Sequence, residues 1–209
     1  LLDNISQSLV IAPQNTNLLF SIDTSGSMGY RAIVRDGVDI SRMQLALESI
    51  KEVIEAYNNL GDVRVQIITF ASSGTPQPQY LTVAEALAFI GDGTASTRDP
   101  SLNPDGGTSY DAAVAALEDG FDNPGSLEII NGIEPVNVSY FISDGQPQTG
   151  GGTTGSDGIT GVEITEYRTF LTNNNIDAYA VGFGDGLDAG DQGFLDPLAF
   201  DGTVVDASG

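Results

Sequence analysis

Short apolar runs alternate along the chain with segments whose apolar residues return at helical spacing. Residues 17–22 form an apolar run, as expected of a central parallel strand covered on both faces. Ile40, Met43, Leu47, Ile50, Ile54 and Tyr57 then recur at steps of three and four. They make one stripe of a helix that Asn58-Asn59-Leu60-Gly61 ends. Val63, Val65, Ile67, Ile68 and Phe70 mark a second strand, dense in β-branched residues. Residues 77–82, beside Pro76 and Pro78, read as a short edge strand. A helix over 83–90 leads into an irregular stretch, 91–107, long enough for a compact domain to suggest function. An Ala-rich helix follows over 109–117, with Thr108 and Ser109 as candidate caps. The pattern then predicts a strand at 136–142, a helix at 162–171, a strand at 176–183, a helix at 192–200 and a strand at 203–205.

This alternation predicts an α/β fold, a Rossmann-like doubly wound, mainly parallel sheet with one antiparallel edge strand and helices on both faces. The 209 residues fit a single domain over 1–209, with 1–16 a lead-in and 17–209 the core. No run of about 18 apolar residues occurs, so no membrane insertion is expected. The opening Leu1-Leu2-Asp3-Asn4 lacks the basic and apolar regions of a signal peptide, which suggests an excised module whose export signal lies elsewhere.

Composition removes whole classes of chemistry. With no His and no Cys, a Ser-His-Asp triad, a Cys nucleophile, a His- or Cys-based zinc site and an iron–sulfur cluster all lack their atoms. The single lysine, Lys51, falls in the amphipathic helical pattern and reads as a solvated charge rather than half of a Ser-Lys dyad. A net charge of −22 opposes phosphate backbones and anionic membranes, so no nucleic-acid partner is expected. Cations are the natural partners, with solubilisation by surplus surface carboxylates the competing reading; the clustering of carboxylates in Gly- and Pro-rich loops tilts the balance toward a metal.

One loop has the chemistry to hold a cation. Asp23-Thr24-Ser25-Gly26-Ser27 leaves the first predicted strand with one carboxylate and two hydroxyls at alternate positions. Oxygen donors without nitrogen or sulfur suit Mg²⁺, Mn²⁺ or Ca²⁺. Asp144 follows the strand ending at Ile142, and binding sites in such sheets lie at the carboxyl ends of the strands. Both acidic loops should therefore share one edge. The competing reading is that Ser25 and Ser27 cap a turn and Thr108 caps a helix.

The order of these residues resembles the von Willebrand factor A domain and its metal-ion-dependent adhesion site. Asp23, Ser25 and Ser27 match the D-x-S-x-S loop, Thr108 the threonine of Gly106-Gly107-Thr108-Ser109, and Asp144 the aspartate of Ile142-Ser143-Asp144-Gly145. The resemblance runs through Gly182-Phe183-Gly184. It implies that Ser25, Ser27 and Thr108 bind as neutral hydroxyls, that Asp23 and Asp144 supply charge directly or through water, and that a ligand carboxylate completes the shell. The 29–39 loop would sit beside the metal with Tyr30, Arg31 and Arg35. Gly107 and Gly145 would join that rim. For Arg31 and Arg35, pairing with Asp36 and Asp39 competes with contact to a ligand.

Other acidic segments are weaker. Asp185, Asp188, Asp191 and Asp196 depart from EF-hand spacing, so an additional Ca²⁺ there competes with simple solvation. The 152–159 segment partly echoes a calcium β-roll repeat, but one imperfect copy cannot stack. The sequons at Asn4 and Asn137 read as chance. The sequence thus points to a non-enzymatic, monomeric, extracellular or cell-surface adhesion module. Its partners would be a protein or other ligand presenting a carboxylate, and neighbouring modules of the same polypeptide. The composition resembles that of large bacterial repeats-in-toxin adhesins. A spacer whose metal mainly stabilises the fold is the alternative, and no nucleophile or acid–base pair suggests an enzyme.

Overall fold

The computed structural model describes residues 14–129, 132–148, 157–183 and 193–199, and the backbone of 204–206. A central strand β1 (Thr16–Asp23) is buried along its whole length. It lies between two parallel neighbours, β4 (Val63–Phe70) and β7 (Val136–Ser143). Beyond β7 run β8 (Ile176–Gly182) and β9 (Val204–Asp206), also parallel. The other edge is antiparallel, built from β5 (Gly74–Pro76) and β6 (Leu81–Thr82), both paired with β4. Strand order therefore reverses at β1, as a doubly wound sheet requires, and that reversal opens a crevice at the carboxyl ends of β1 and β7.

Strand alternation assigns the two faces. Leu18, Phe20 and Ile22 join Val65, Ile67, Val138 and Ile142 in one core with helices α1 (Arg42–Asn58) and α2 (Val83–Ile90). Leu19 points the other way, to a second core with Ile68, Phe70 and Phe141 under α3 (Tyr110–Phe121) and α4 (Gly161–Asn173). Asp23 has the parity of Leu19, so its carboxylate falls on the α3 side. Among the described residues no helix is long and apolar enough to cross a membrane.

Three expectations need correction. Residues 29–39 are not an extended loop. A 3₁₀ turn at Gly26–Gly29 leads into a separate hairpin, β2 (Arg31–Arg35) and β3 (Val38–Ser41). Ile40 belongs to β3 rather than to the helix, because the Ser41 hydroxyl accepts from the Gln44 N–H at 3.1 Å and starts α1 one residue later. The edge strand expected at 77–82 is split, with its first half earlier, at Gly74–Pro76. Residues 83–90 are helical as expected, closed by a capping box between Thr82 and Glu85. The late helix expected at 192–200 is helical over 193–195 and tightens into a 3₁₀ turn at Asp196–Leu198 within the described part. The lead-in before Gln14, the sequon at Asn4, the β-roll echo through Ser156, and Asp185, Asp188 and Asp191 lie outside the described residues.

Gly74 lets α3 close onto the antiparallel edge. A Cβ there would stand 2.2 Å from the Ala112 carbonyl oxygen and 2.6 Å from Ala116 Cβ. Gly74→Ala is expected to destabilise the protein by about 1–3 kcal/mol through overpacking. Gly193→Ala, which meets nothing within 4 Å, should change denaturant-unfolding stability by less than about 0.5 kcal/mol.

Candidate metal centre

The site is assembled by backbone hydrogen bonds between loops that leave the carboxyl edge of the sheet. As β1 ends, the Thr24 N–H and hydroxyl both donate to the Phe70 carbonyl, at 2.7 and 3.0 Å. The Asp105 N–H donates to the Thr24 carbonyl at 2.8 Å and the Gly26 N–H to the Gly106 carbonyl at 3.1 Å. Thr108 and Gln148 exchange a reciprocal pair at 2.6 and 2.8 Å. The D-x-S-x-S loop, the 105–108 segment and the loop after β7 thus meet at the crevice. Gly107 is needed for this closure, since a Cβ would approach the Gln148 carbonyl oxygen to 2.4 Å.

Asp23 is fully buried at the centre. Its Oδ1 accepts from the Ser25 N–H at 2.8 Å and its Oδ2 from the Ser143 hydroxyl at 2.6 Å. Ser143 follows from register: Ile22 pairs with Ile142, so the next residues outward are Asp23 and Ser143 on one face. The Tyr110 hydroxyl, at the start of α3, lies 3.1 Å from Ser143 Oγ and donates to the Gly145 carbonyl. From Asp23 the oxygens continue outward. Ser25 Oγ is 3.1 Å from Ser27 Oγ, and the Ser27 hydroxyl donates to Asp144 Oδ1 at 2.9 Å. Arg42, the first residue of α1, holds Asp144 Oδ2 through Nη1 at 2.7 Å.

The capping alternative does not describe these side chains. Ser25 stands at the N-cap of a 3₁₀ turn but makes no side-chain capping bond. The cap of α3 is Ser109, accepting from the Ala112 N–H at 3.3 Å, and not Thr108, which is nonetheless buried. All five expected residues lie at one sheet edge, Asp23 as the last residue of β1 and the other four in the loops there. Asp23, Ser25, Ser27 and Asp144 are linked atom to atom, while Thr108 joins them through its backbone bridge to Gln148.

The rim follows the expected pairing for Arg31 and departs from it for Arg35. Arg31 pairs with Asp39 at 3.5 Å, on the solvent side of the hairpin. Arg35 pairs not with Asp36 or Asp39 but with Glu48 on α1, at 2.9 Å. Tyr30 is 65% exposed, and its carbonyl accepts from the Arg42 N–H at 2.9 Å. Gly145 serves the site through its carbonyl. Arg42, Ser143 and Tyr110 escaped sequence reasoning. Only Ser143 carried a usable signal, through its place on the strand beside Asp144.

The donor set fits a hard cation. Oxygens about 2.1 Å from a Mg²⁺ ion stand about 3 Å apart along an octahedral edge. The Ser25–Ser27 and Ser27–Asp144 oxygens are separated by 3.1 and 2.9 Å. Asp23 has no cationic partner among the described residues. Burial, reinforced by the nearby negative charge of Asp144, outweighs its hydrogen bonds to Ser143 and Ser25 and raises its pKa from 3.8 to about 7. A divalent ion would reverse that balance.

Asp23 binds its proton more tightly folded than unfolded. Its effect on stability is therefore neutral below pH 3.8 and unfavourable above, growing as pH rises to about 7. Without divalent cations the protein is expected to lose up to about 4 kcal/mol over that window. Chemical denaturation from pH 5 to 8 should show a loss that Asp23→Asn flattens and that Mn²⁺ offsets most at high pH.

No family model matches the sequence, and no curated protein matches it significantly. Solved structures do match in fold. Over 95% of this chain, the PilB minor pilin of Streptococcus sanguinis superposes with a TM-score of 0.62 at 16% identity. This chain spans 58% of that pilin's length. BatB of Bacteroides thetaiotaomicron matches at 0.58 and 16% identity, covering 92% of this chain and 90% of its own. A von Willebrand factor type A protein of Catenulispora acidiphila matches at 0.52 and 18%, covering 88% and 37%. The chain therefore shares the α/β architecture of these solved structures, one of them a von Willebrand factor type A protein.

Proposed function

We propose that the chain is a non-enzymatic binding module that takes up a divalent cation and uses it to engage an acidic group on a protein partner. The observation that carries this reading is the run of oxygens from Asp23 through Ser25 and Ser27 to Asp144, set where the sheet's strand order reverses. When bound, the cation would supply a Lewis-acidic position able to coordinate an external carboxylate.

The chain's own residues set the terms. Asp23 would provide a fully buried charge. The hydroxyls of Ser25, Ser27 and Thr108 would donate without neutralising the ion. Asp144 already accepts from Ser27 and Arg42, which suits a role at one remove through water. The fold of a minor pilin supports a surface-exposed setting within a larger polypeptide. A source among repeats-in-toxin adhesins rests on the acidic, Cys-free composition. A second reading, a spacer stabilised by its metal, is favoured by the burial of Asp23 without a cationic partner among the described residues. Any ion that binds the folded state would raise stability in either case.

Calorimetric titration of chelator-stripped protein with Mg²⁺, Mn²⁺ and Ca²⁺ tests the site. Saturable binding is expected in the wild type and loss of at least about tenfold in affinity in Asp23→Ala and in Ser25→Ala/Ser27→Ala. Binding unchanged in both variants would place any metal elsewhere. A partner that binds equally well in chelator would favour the spacer.

A further inference from the structure

The one basic side chain among the described residues that touches this site is Arg42, and its placement is unusual. It enters from the first turn of α1, where the helix dipole disfavours a cation. Its side chain is only 19% exposed, its Nη1 holds Asp144 Oδ2 at 2.7 Å, and its Nε is buried without a hydrogen-bond partner among the described residues. The guanidinium lies 5.8 Å from the centre of the exposed Tyr30 ring, and the Arg42 backbone N–H donates to the Tyr30 carbonyl. A surface ion pair would not need this degree of burial.

We propose that Arg42 is a specificity-determining residue of this centre: by pairing with Asp144 it leaves a bound divalent cation with uncompensated positive charge, which an incoming carboxylate neutralises. Two carboxylates, Asp23 and Asp144, would match the charge of a divalent ion and leave nothing for an anionic ligand to gain beyond a coordination bond. Arg42 restores one positive charge at the mouth of the crevice. It also ties down Asp144 Oδ2 while Ser27 engages Oδ1, so this carboxylate is not free to swing in and take the position that a ligand would fill. The inference rests on the metal-binding reading above and adds to it a preference for carboxylates over neutral oxygen ligands.

The test compares wild type, Arg42→Gln, Arg42→Lys and Asp144→Asn, each checked for folding by circular dichroism. Mn²⁺ affinity is measured by calorimetry. Acetate uptake at the bound ion is followed by water-proton relaxation as acetate replaces chloride at constant ionic strength. Arg42→Gln is expected to bind Mn²⁺ about tenfold more tightly and acetate about tenfold more weakly, the effect of one charge a few ångströms from the ion. Arg42→Lys, which keeps the charge, should stay within about threefold of wild type for acetate. Asp144→Asn should move both affinities in the opposite sense, which keeps the proposal open to refutation even if Arg42→Gln fails to fold. Equal acetate affinity in wild type and Arg42→Gln, with Mn²⁺ bound in both, would overturn the role of Arg42 alone. A wild type that binds no Mn²⁺, or binds it without taking up acetate, would overturn the binding reading and the inference with it.

Discussion

The structure depends on holding one carboxylate, that of Asp23, out of water at the end of its central strand. Desolvating an ionised group is costly unless it is paired and hydrogen-bonded. Here the pairing is missing among the described residues, and a serine hydroxyl and a backbone N–H compensate only in part. The arrangement persists because the rest of the sheet over-determines it. β1 is paired in parallel on both sides and buried on both faces, so its last residue cannot turn outward without breaking ladder bonds to β4. A buried acid with a displaced pKa at the strand-order reversal is where function is expected in such folds.

Around that acid the loops are fixed by their backbones rather than by their side chains. The bonds between Gly26 and Gly106, Asp105 and Thr24, and Thr108 and Gln148 join three segments distant in sequence. The hydroxyls of Ser25 and Ser27 are thereby spared capping roles and turned toward each other and Asp144. Uptake of an ion would then cost less conformational entropy than if the loops had to order around it. The glycines at 106 and 107 belong to this clamp. Gly106 adopts φ +80° where its carbonyl receives the Gly26 N–H, and Gly107 leaves room for the Gln148 carbonyl.

What could be read from the sequence was what is local. The Thr82–Glu85 capping box and the apolar spacing define α2 without tertiary help. The cation-site chemistry of Asp23, Ser25 and Ser27 is visible because three donors fall within five residues. Thr108 depends on long-range pairing and was matched only by resemblance, whereas Asp144 was also placed by its position after the strand ending at Ile142. The β2–β3 hairpin was misread as a loop although its turn is written plainly. Asp36-Gly37, with φ of 53° and 79°, is a two-residue primed turn between Arg35 and Val38, which pair directly. The apolar stripe beginning at Ile40 masked it by extending the helical pattern backwards. Arg42 could not be found at all, since its partner lies 102 residues away and nothing in its own neighbourhood distinguishes it from a helix-surface arginine.

The net charge of −22 appears at first to contradict an acidic partner. The two effects act over different distances. Exposed carboxylates are screened within a Debye length of about 8 Å at physiological ionic strength, so the surface field mainly slows approach. A cation in a crevice walled by buried side chains would act at contact, where the effective dielectric is lower and one charge counts for far more. Arg42 belongs to that short-range regime: its guanidinium is mostly buried and bound to Asp144, and so is poorly screened. A strongly acidic surface and a local demand for a carboxylate are therefore compatible. Together they would favour a ligand whose acidic group is presented singly on a projecting segment over one embedded in an acidic patch.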